Sequence, residues 1–349
     1  MREMNASNGT ETPRLNLREY KSRNKKVIAV AKNHGYTQAV VSVNDILPFL
    51  VSTDAQAQPE ELRRRMRRDG YLFFRGLPPK EKLLELRRII LEICQKNGWL
   101  IAGSELMEGL THRAPCVEGQ EDFMRVYDEV QTREEFHALG HDDALVGTIS
   151  KLAEEQVFVF PLKVMRITFP NNVRETTPSH QDYVHLQGTL ETYTTWIPLG
   201  DTPRELGGLS VLAGSNKLGV LQPRAAYGAG GLGLDTDQYN LPWHGGDFQC
   251  GDAIIFSSLT VHRALPNLTA DKLRISVDYR YAGLSHAVTH VALKPHFASK
   301  RPHLNWDNLD RHWKNQSLRR YWEKLPVRVV ERTDAWHKTA AVDEKKERA

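Results

Sequence analysis

Three residues able to bind a divalent metal stand in an informative spacing. His180 and Asp182 are separated by one residue within Thr177-Pro178-Ser179-His180-Gln181-Asp182, and His262 follows 80 residues after Asp182. Side chains two apart on an extended segment point to one face, so this spacing sets an imidazole beside a carboxylate. A second imidazole from a distant strand closes the triangle only inside a folded barrel. Two histidines and one carboxylate on one face of a metal leave three positions open, the ligand set of non-haem Fe(II) oxygenases. Arg274 lies twelve residues past His262 and shares a strand face with Ser276. An arginine there can grip a carboxylate through two parallel hydrogen bonds, and the Ser276 hydroxyl can add a third.

Other candidates read less sharply. His141-x-Asp143 repeats the spacing, with His137 four residues before His141, but Leu139, Leu145 and Ile149 make that stretch a surface helix end. His185, three residues past Asp182, is an alternative third ligand. Strand alternation points it off the Asp182 face and toward the substrate mouth. Lys163 and Arg166 before the motif, and Tyr183 and His185 after it, are candidate anchors for a polar or anionic substrate. The glycine-rich stretch 228–234 lacks the lysine and the strand-to-helix placement of a phosphate cradle, so it reads as a mobile loop.

The elements that must position these residues follow from periodicity. Residues 59–68 form a helix with an arginine-rich face, stopped at Asp69-Gly70. Residues 71–74 are a strand, and 80–97 a helix with Leu83, Leu86, Ile90 and Ile93 at helical spacing. Segment 43–50 is apolar enough to dock. The helical period returns over 133–155; residues 99–128 have no clear period. From residue 156 the texture is β, with strands over 157–160, 162–169, 191–198, 208–212, 253–256 and 273–281 separated by Gly and Pro turns. That pattern predicts a sandwich or jelly roll. Residues 307–324 read as a helix, and four of the seven tryptophans fall in 306–336, where packing on the barrel is the expected role.

Composition sets bounds. The 349 residues are 40% apolar and 26% charged, ordinary for a globular protein. No run of 18 apolar residues exists, and the polar start shows no signal sequence, so a cytoplasmic protein without a membrane partner is expected. Cys94, Cys116 and Cys250 are too far apart for a zinc ribbon. Net charge is +4, yet residues 1–35 hold eight basic and three acidic residues, leaving a near-neutral body. That argues against a nucleic-acid partner across the fold. The expected layout is a flexible basic tail over 1–35, one domain over 36–336 and a charged tail over 337–349. The domain has its core at 67–293 and a helical extension at 296–336. The partner is a small molecule, and the chain is a monomer or homodimer.

From about Arg67 to Tyr281 the chain resembles the phytanoyl-CoA dioxygenase family of Fe(II)/2-oxoglutarate-dependent oxygenases. The resemblance rests on Arg68-Asp69-Gly70-Tyr71, the Phe136-His137 helix and His180-Gln181-Asp182. It continues through Thr195-Trp196-Ile197-Pro198-Leu199, Gly207-Gly208-Leu209-Ser210-Val211 with Gly214-Ser215, and Gly251-Asp252…His262…Arg274. It implies an α+β fold with a mostly β core, a double-stranded β-helix (jelly roll, cupin-like) with helices packed on one sheet. By the same resemblance His180, Asp182 and His262 bind Fe(II). Arg274 pairs with the distal carboxylate of 2-oxoglutarate, with Ser276 beside it. Thr177, Trp196 and Gln181 are further cosubstrate contacts. Relatives often carry Ser or Thr where this chain has Ala264, so it lacks a hydroxyl they place there. Halogenating relatives have a small residue in place of the aspartate. Asp182 therefore implies hydroxylation, or a related oxidation such as desaturation or ring formation, of a small organic metabolite with O2, giving succinate and CO2. Two other classes remain at this stage: a catalytically silent barrel serving as a binding module, and a metal oxygenase that does not use 2-oxoglutarate.

Overall fold

The computed structural model describes residues 31–33, 36–38, 46–172, 175–226 and 228–333. The expected tails over 1–35 and 337–349, and Trp336, lie outside the described residues, apart from the strand Ala31–Asn33. The chain divides into two units, 1–45 and 46–349. In the first, Ala31–Asn33 pairs antiparallel with Tyr36–Gln38.

The second unit carries the site. The strands that build it are β1 (Ile46–Pro48), β2 (Tyr71–Phe74), β3 (Val157–Val159), β4 (Val164–Thr168) and β5 (Thr192–Pro198), then β6 (Leu209–Leu212), β7 (Trp243–Gly245), β8 (Ala253–Ser257), β9 (His262–Ala264) and β10 (Arg274–Gly283). Its longer helices are α1 (Pro59–Asp69), α2 (Lys80–Lys96), α3 (Glu121–Gln131) and α4 (Asp143–Ala153). A six-stranded sheet runs β2-β8-β5-β10-β3, with β4 also paired to β10. A four-stranded sheet runs β9-β6-β7-β1.

Period-two alternation sorts the large sheet into two faces. Ile275, Val277, Tyr279 and Tyr281 of β10 join Leu72, Phe74, Ala253 and Ile255 in a core shared with the helices. The opposite face contributes Tyr71, Phe73, Trp196, Ile254 and Phe256 to a second core, which Leu209 and Val211 of the small sheet complete. The layers are helices, large sheet, small sheet.

Local chemistry explains the boundaries. α1 begins with Pro59 and acidic Glu60 and Glu61, and ends with Arg67 and Arg68, matching the helix dipole at both ends. Gly70 caps it at φ 81°. A Cβ there would stand 2.6 Å from Thr260 Oγ1, which donates to the Gly70 carbonyl. Any side chain at this position is therefore strained and crowded.

Three expectations need correction. α3 was not legible within 99–128, although Phe123, Val126, Tyr127 and Val130 are buried on it. Residues 307–324 are not a helix but short turns, Trp306–Leu309 and Tyr321–Lys324. Trp306, Trp313 and Trp322 hold that extension down instead, by ring contacts and by Trp306 and Trp313 donating to the Leu293 and Thr132 carbonyls. His137 is not on a surface helix end. It is 3% exposed, with Nε2 against the Gln131 carbonyl.

Candidate metal centre

β9 and the segment before Asp182 meet at one antiparallel bridge. His180 and His262 exchange both backbone hydrogen bonds, each 3.0 Å. Their imidazoles lie side by side, 4.1 Å between ring centres. Each Nδ1 donates to a carbonyl two residues back, His180 to Pro178 at 2.8 Å and His262 to Thr260 at 3.0 Å. A carbonyl only accepts, so each Nδ1 carries the proton in the neutral ring and each Nε2 keeps its lone pair. Those two lone pairs face Asp182 Oδ1, at 3.5 and 3.7 Å.

Asp182 does not sit on a strand, as the His-x-Asp spacing suggested. Its backbone is helical (φ −63°, ψ −28°), at the N-cap of the short turn Tyr183–Leu186. Convergence comes from the chain turning into that helix. The ligand atoms of His180, Asp182 and His262 all lie within 4.8 Å of one another, and this is the single such cluster among the described residues. His141 and Asp143 belong to no cluster. His185 is helical, its ring 5.7 Å from that of His180, and lies outside the cluster.

The electrostatics suit a cation. Burial pushes the Asp182 carboxyl up. The Arg280 guanidinium and both imidazoles outweigh it, holding the group well below the usual carboxylate range. Burial, with His180 alongside, pulls His262 down to about 3, so the ring is neutral at physiological pH and able to ligate.

A cavity of about 330 Å³, solvent at its mouth included, opens beside the triad. Trp196, Leu209, Phe256 and Ala264 form its apolar wall, and Arg166, Thr177, Arg274, Asp278 and Arg280 its polar one. Arg274 is 2% exposed. Its Nη1 donates to Ser276 Oγ and its Nη2 to Thr168 Oγ1, both at 2.7 Å, while Nε has no partner. Its guanidinium carbon is 5.7 Å from the centre of the Trp196 ring. Among the described residues no carboxylate reaches it within ion-pair distance. Burial and the nearby Arg166 lower it to about 10, so it stays charged. A buried, unpaired cation is costly, and an anion in this cavity would offset it.

The other expected contacts divide. Thr177 and Trp196 line the cavity. Ser276 lies behind Arg274 and holds it. Gln181 is not available to a ligand: its amide nitrogen donates to the Gly219 and Leu259 carbonyls and its oxygen accepts from Leu221. Arg166 lines the cavity with Nε on Asp278 at 2.9 Å and Nη1 on Glu118 at 3.3 Å. Lys163 is on the wrong face. With Met165 and Ile167 it points toward the helices, where its amine donates to the Phe160 carbonyl. Tyr183 and His185 are outside the lining residues.

Sequence reasoning missed Thr168, Thr194, Asp278 and Arg280. The signal for the last two was present. In Arg274-Ile275-Ser276-Val277-Asp278-Tyr279-Arg280 every second residue is polar, so Asp278 and Arg280 share the face assigned to Arg274 and Ser276.

A family profile described as phytanoyl-CoA dioxygenase (PhyH) matches residues 66–276. The chain belongs to the phytanoyl-CoA dioxygenase family. The match spans both metal-binding segments and ends at Ser276, close to the stretch whose motifs suggested it. As a member of this dioxygenase family the chain is an enzyme, an oxidoreductase. Similar curated proteins are the 1-deoxypentalenic acid 11-beta-hydroxylases of Streptomyces arenae and Streptomyces exfoliatus. Each is 26% identical, over 256 and 263 residues, covering 68% of this chain and 85% of the relative. Among solved structures, the non-heme alpha ketoglutarate dependent carbocyclase SnoK from nogalamycin biosynthesis superposes with a TM-score of 0.48 at 19% identity, over 66% of this chain and 85% of that one.

Proposed function

We propose that this dioxygenase-family chain hydroxylates a small organic metabolite, using Fe(II) and 2-oxoglutarate and releasing succinate and CO2. The observation that carries the reading is the pairing, in one cavity, of a triad with two bare Nε2 atoms and a buried arginine with no carboxylate of its own. Both halves fit those two groups. His180 Nε2, His262 Nε2 and Asp182 Oδ1 are the donors that would hold the metal, and Arg274 is the cation that would hold the far carboxylate of 2-oxoglutarate. Bound there, Fe(II) supplies the dioxygen and redox chemistry that no protein side chain can.

The chain's own residues do the rest. Thr168 and Ser276 hold Arg274 in place before anything binds, which fixes the cosubstrate's orientation in advance. Trp196, Leu209 and Phe256 keep the cavity dry, so the charges inside act at full strength. Asp182 fills the position that a halide would need, which favours hydroxylation over halogenation. The two-sheet arrangement supports a double-stranded β-helix, and the names of the curated relatives support a substrate of the secondary-metabolite type.

Substrate-dependent release of succinate under air is the test. Wild type is expected to release it, and Asp182→Ala and His262→Ala to release none above background. Succinate formation that survives both substitutions overturns the assignment.

A further inference from the structure

Each oxygen of a carboxylate offers about two lone-pair sites. The inner oxygen of Asp182, Oδ1, faces the two histidine nitrogens. The outer oxygen, Oδ2, accepts from Thr194 Oγ1 at 2.6 Å and from Arg280 Nε at 3.3 Å. Both of its sites are thus taken by protein donors. We infer that Arg280 and Thr194 are positioning residues that keep Asp182 a one-oxygen ligand, reserving a metal position that a two-oxygen carboxylate would occupy. The inference rests on the metal-centre reading above.

The fold builds this clamp deliberately. Arg280 and Thr194 are directly opposite across the β10–β5 ladder. Both side chains leave the sheet on the cavity face and reach the same oxygen. Arg280 is 5% exposed and is itself held. Its Nη2 lies 3.6 Å from Asp278 Oδ2, which also takes Arg166 Nε at 2.9 Å, and Arg166 reaches Glu118 at 3.3 Å. This row of alternating charges runs from the loop before α3 to the metal ligand. Arg274 and Arg280 therefore have different tasks on one strand face. The first presents an unpaired guanidinium to the cavity. The second has its Nε and Nη2 committed to carboxylates.

Geometry sets the consequence. Two imidazoles and one carboxylate oxygen leave three of six positions. A chelating keto acid takes two and leaves one. If Oδ2 swings in, none is left. Removing a partner that orients a metal ligand typically costs about 10–100-fold in affinity or activity.

The experiment uses anaerobic full-length protein with Fe(II) and 2-oxoglutarate, followed by nitric oxide as a probe of the reserved position. Wild type is expected to show the visible charge-transfer band and then the S = 3/2 resonance of an iron–nitrosyl. Arg280→Met combined with Thr194→Val is expected to keep the band and lose at least about tenfold of the resonance. Arg280→Lys, which keeps a donor, restores much of it. Thr194→Val alone is nearly isosteric and should lose several-fold, which keeps the test open if the Arg280 variant does not fold. A double variant that melts early yet keeps the full resonance assigns Arg280 a structural ion pair only, and overturns the inference. Wild type that forms no band overturns the metal-centre reading instead, a separate outcome.

Discussion

The two faces of strand β10 carry opposite chemistry within one stretch of ten residues. Facing the helices, Ile275, Val277, Tyr279 and Tyr281 are all buried in the main core. Facing the cavity, Arg274, Ser276, Asp278 and Arg280 are equally buried, between 0% and 5% exposed. Burial alone therefore does not separate core from site here. What separates them is how polar atoms are satisfied. On the helix face of β10 the two tyrosine hydroxyls donate to the Phe136 and Gly140 carbonyls. On the cavity face Arg274 Nε, Asp278 Oδ1 and Arg280 Nη1 have no partner. A folded chain rarely leaves such atoms orphaned, and on this strand they gather on the cavity face.

The same contrast holds for two buried cations. Arg274 keeps its charge because a guanidinium starts from a high value, so burial and the nearby Arg166, opposed by Asp278, bring it down only to about 10. Lys163, across the sheet, has one carbonyl, and burial drags it down to about 7. One cation lines the cavity, the other sits among the helices and tolerates being neutral.

The comparison can be broken from either face. The largest stability effect belongs to the helix face. Tyr279→Ala should cost about 3–5 kcal/mol in urea unfolding. The protein that remains folded should bind Fe(II) as before. A loss of iron affinity matching the loss of stability would show that the faces are not separable. On the cavity face Arg274→Ala should do the reverse. A charged hydrogen-bonded contact contributes about 1.5–3 kcal/mol, so the apparent KM for 2-oxoglutarate should rise by about 10–100-fold while the melting temperature holds or increases. Unchanged turnover in that variant removes the cosubstrate from the reading and favours a metal oxygenase that does without it.

The most gradual effect is a slope. Burial pulls the Lys163 amine from its ordinary 10.5, which holds in the unfolded chain, down to about 7 in the folded one. Between those values the unfolded chain binds more protons, so stability rises with pH across that window, by at most about 1.4 kcal/mol per unit. Below about pH 7 both states are protonated and this contribution to the slope vanishes. Lys163→Met should flatten the curve between pH 7 and 10 and raise stability at pH 7, read by urea midpoints at each pH. An equal slope in the variant assigns the pH dependence elsewhere.

Much of the site was legible because its residues obey short-range rules. His180, Asp182, His262 and Arg274 stood out by type and spacing, and Trp196 and Thr177 by their place in recurring motifs. Asp278 and Arg280 were equally legible through the period of two and were passed over. Gln181 and Lys163 were misread for one reason. Their types suit a ligand, but what a polar side chain does depends on which partners are already within reach. Gln181 finds three backbone groups on the loops at 219–221 and 259, and Lys163 emerges on the helix side of β4.

The sequence by itself determined the types of the core strands and of helices α1 and α2, the apolar and polar faces of those strands and the identity of the donors, since all of these depend on neighbours a few residues apart. Only the tertiary structure decided which oxygen of Asp182 faces the histidines, that its backbone is helical rather than extended, and that Arg280 and Thr194 close on the other oxygen. The His180–His262 bridge and the Arg280–Asp182 contact require residues 80–100 positions apart to meet at hydrogen-bond distance. Strand register and a single backbone bridge set such meetings, and neither is written in any local window of the chain.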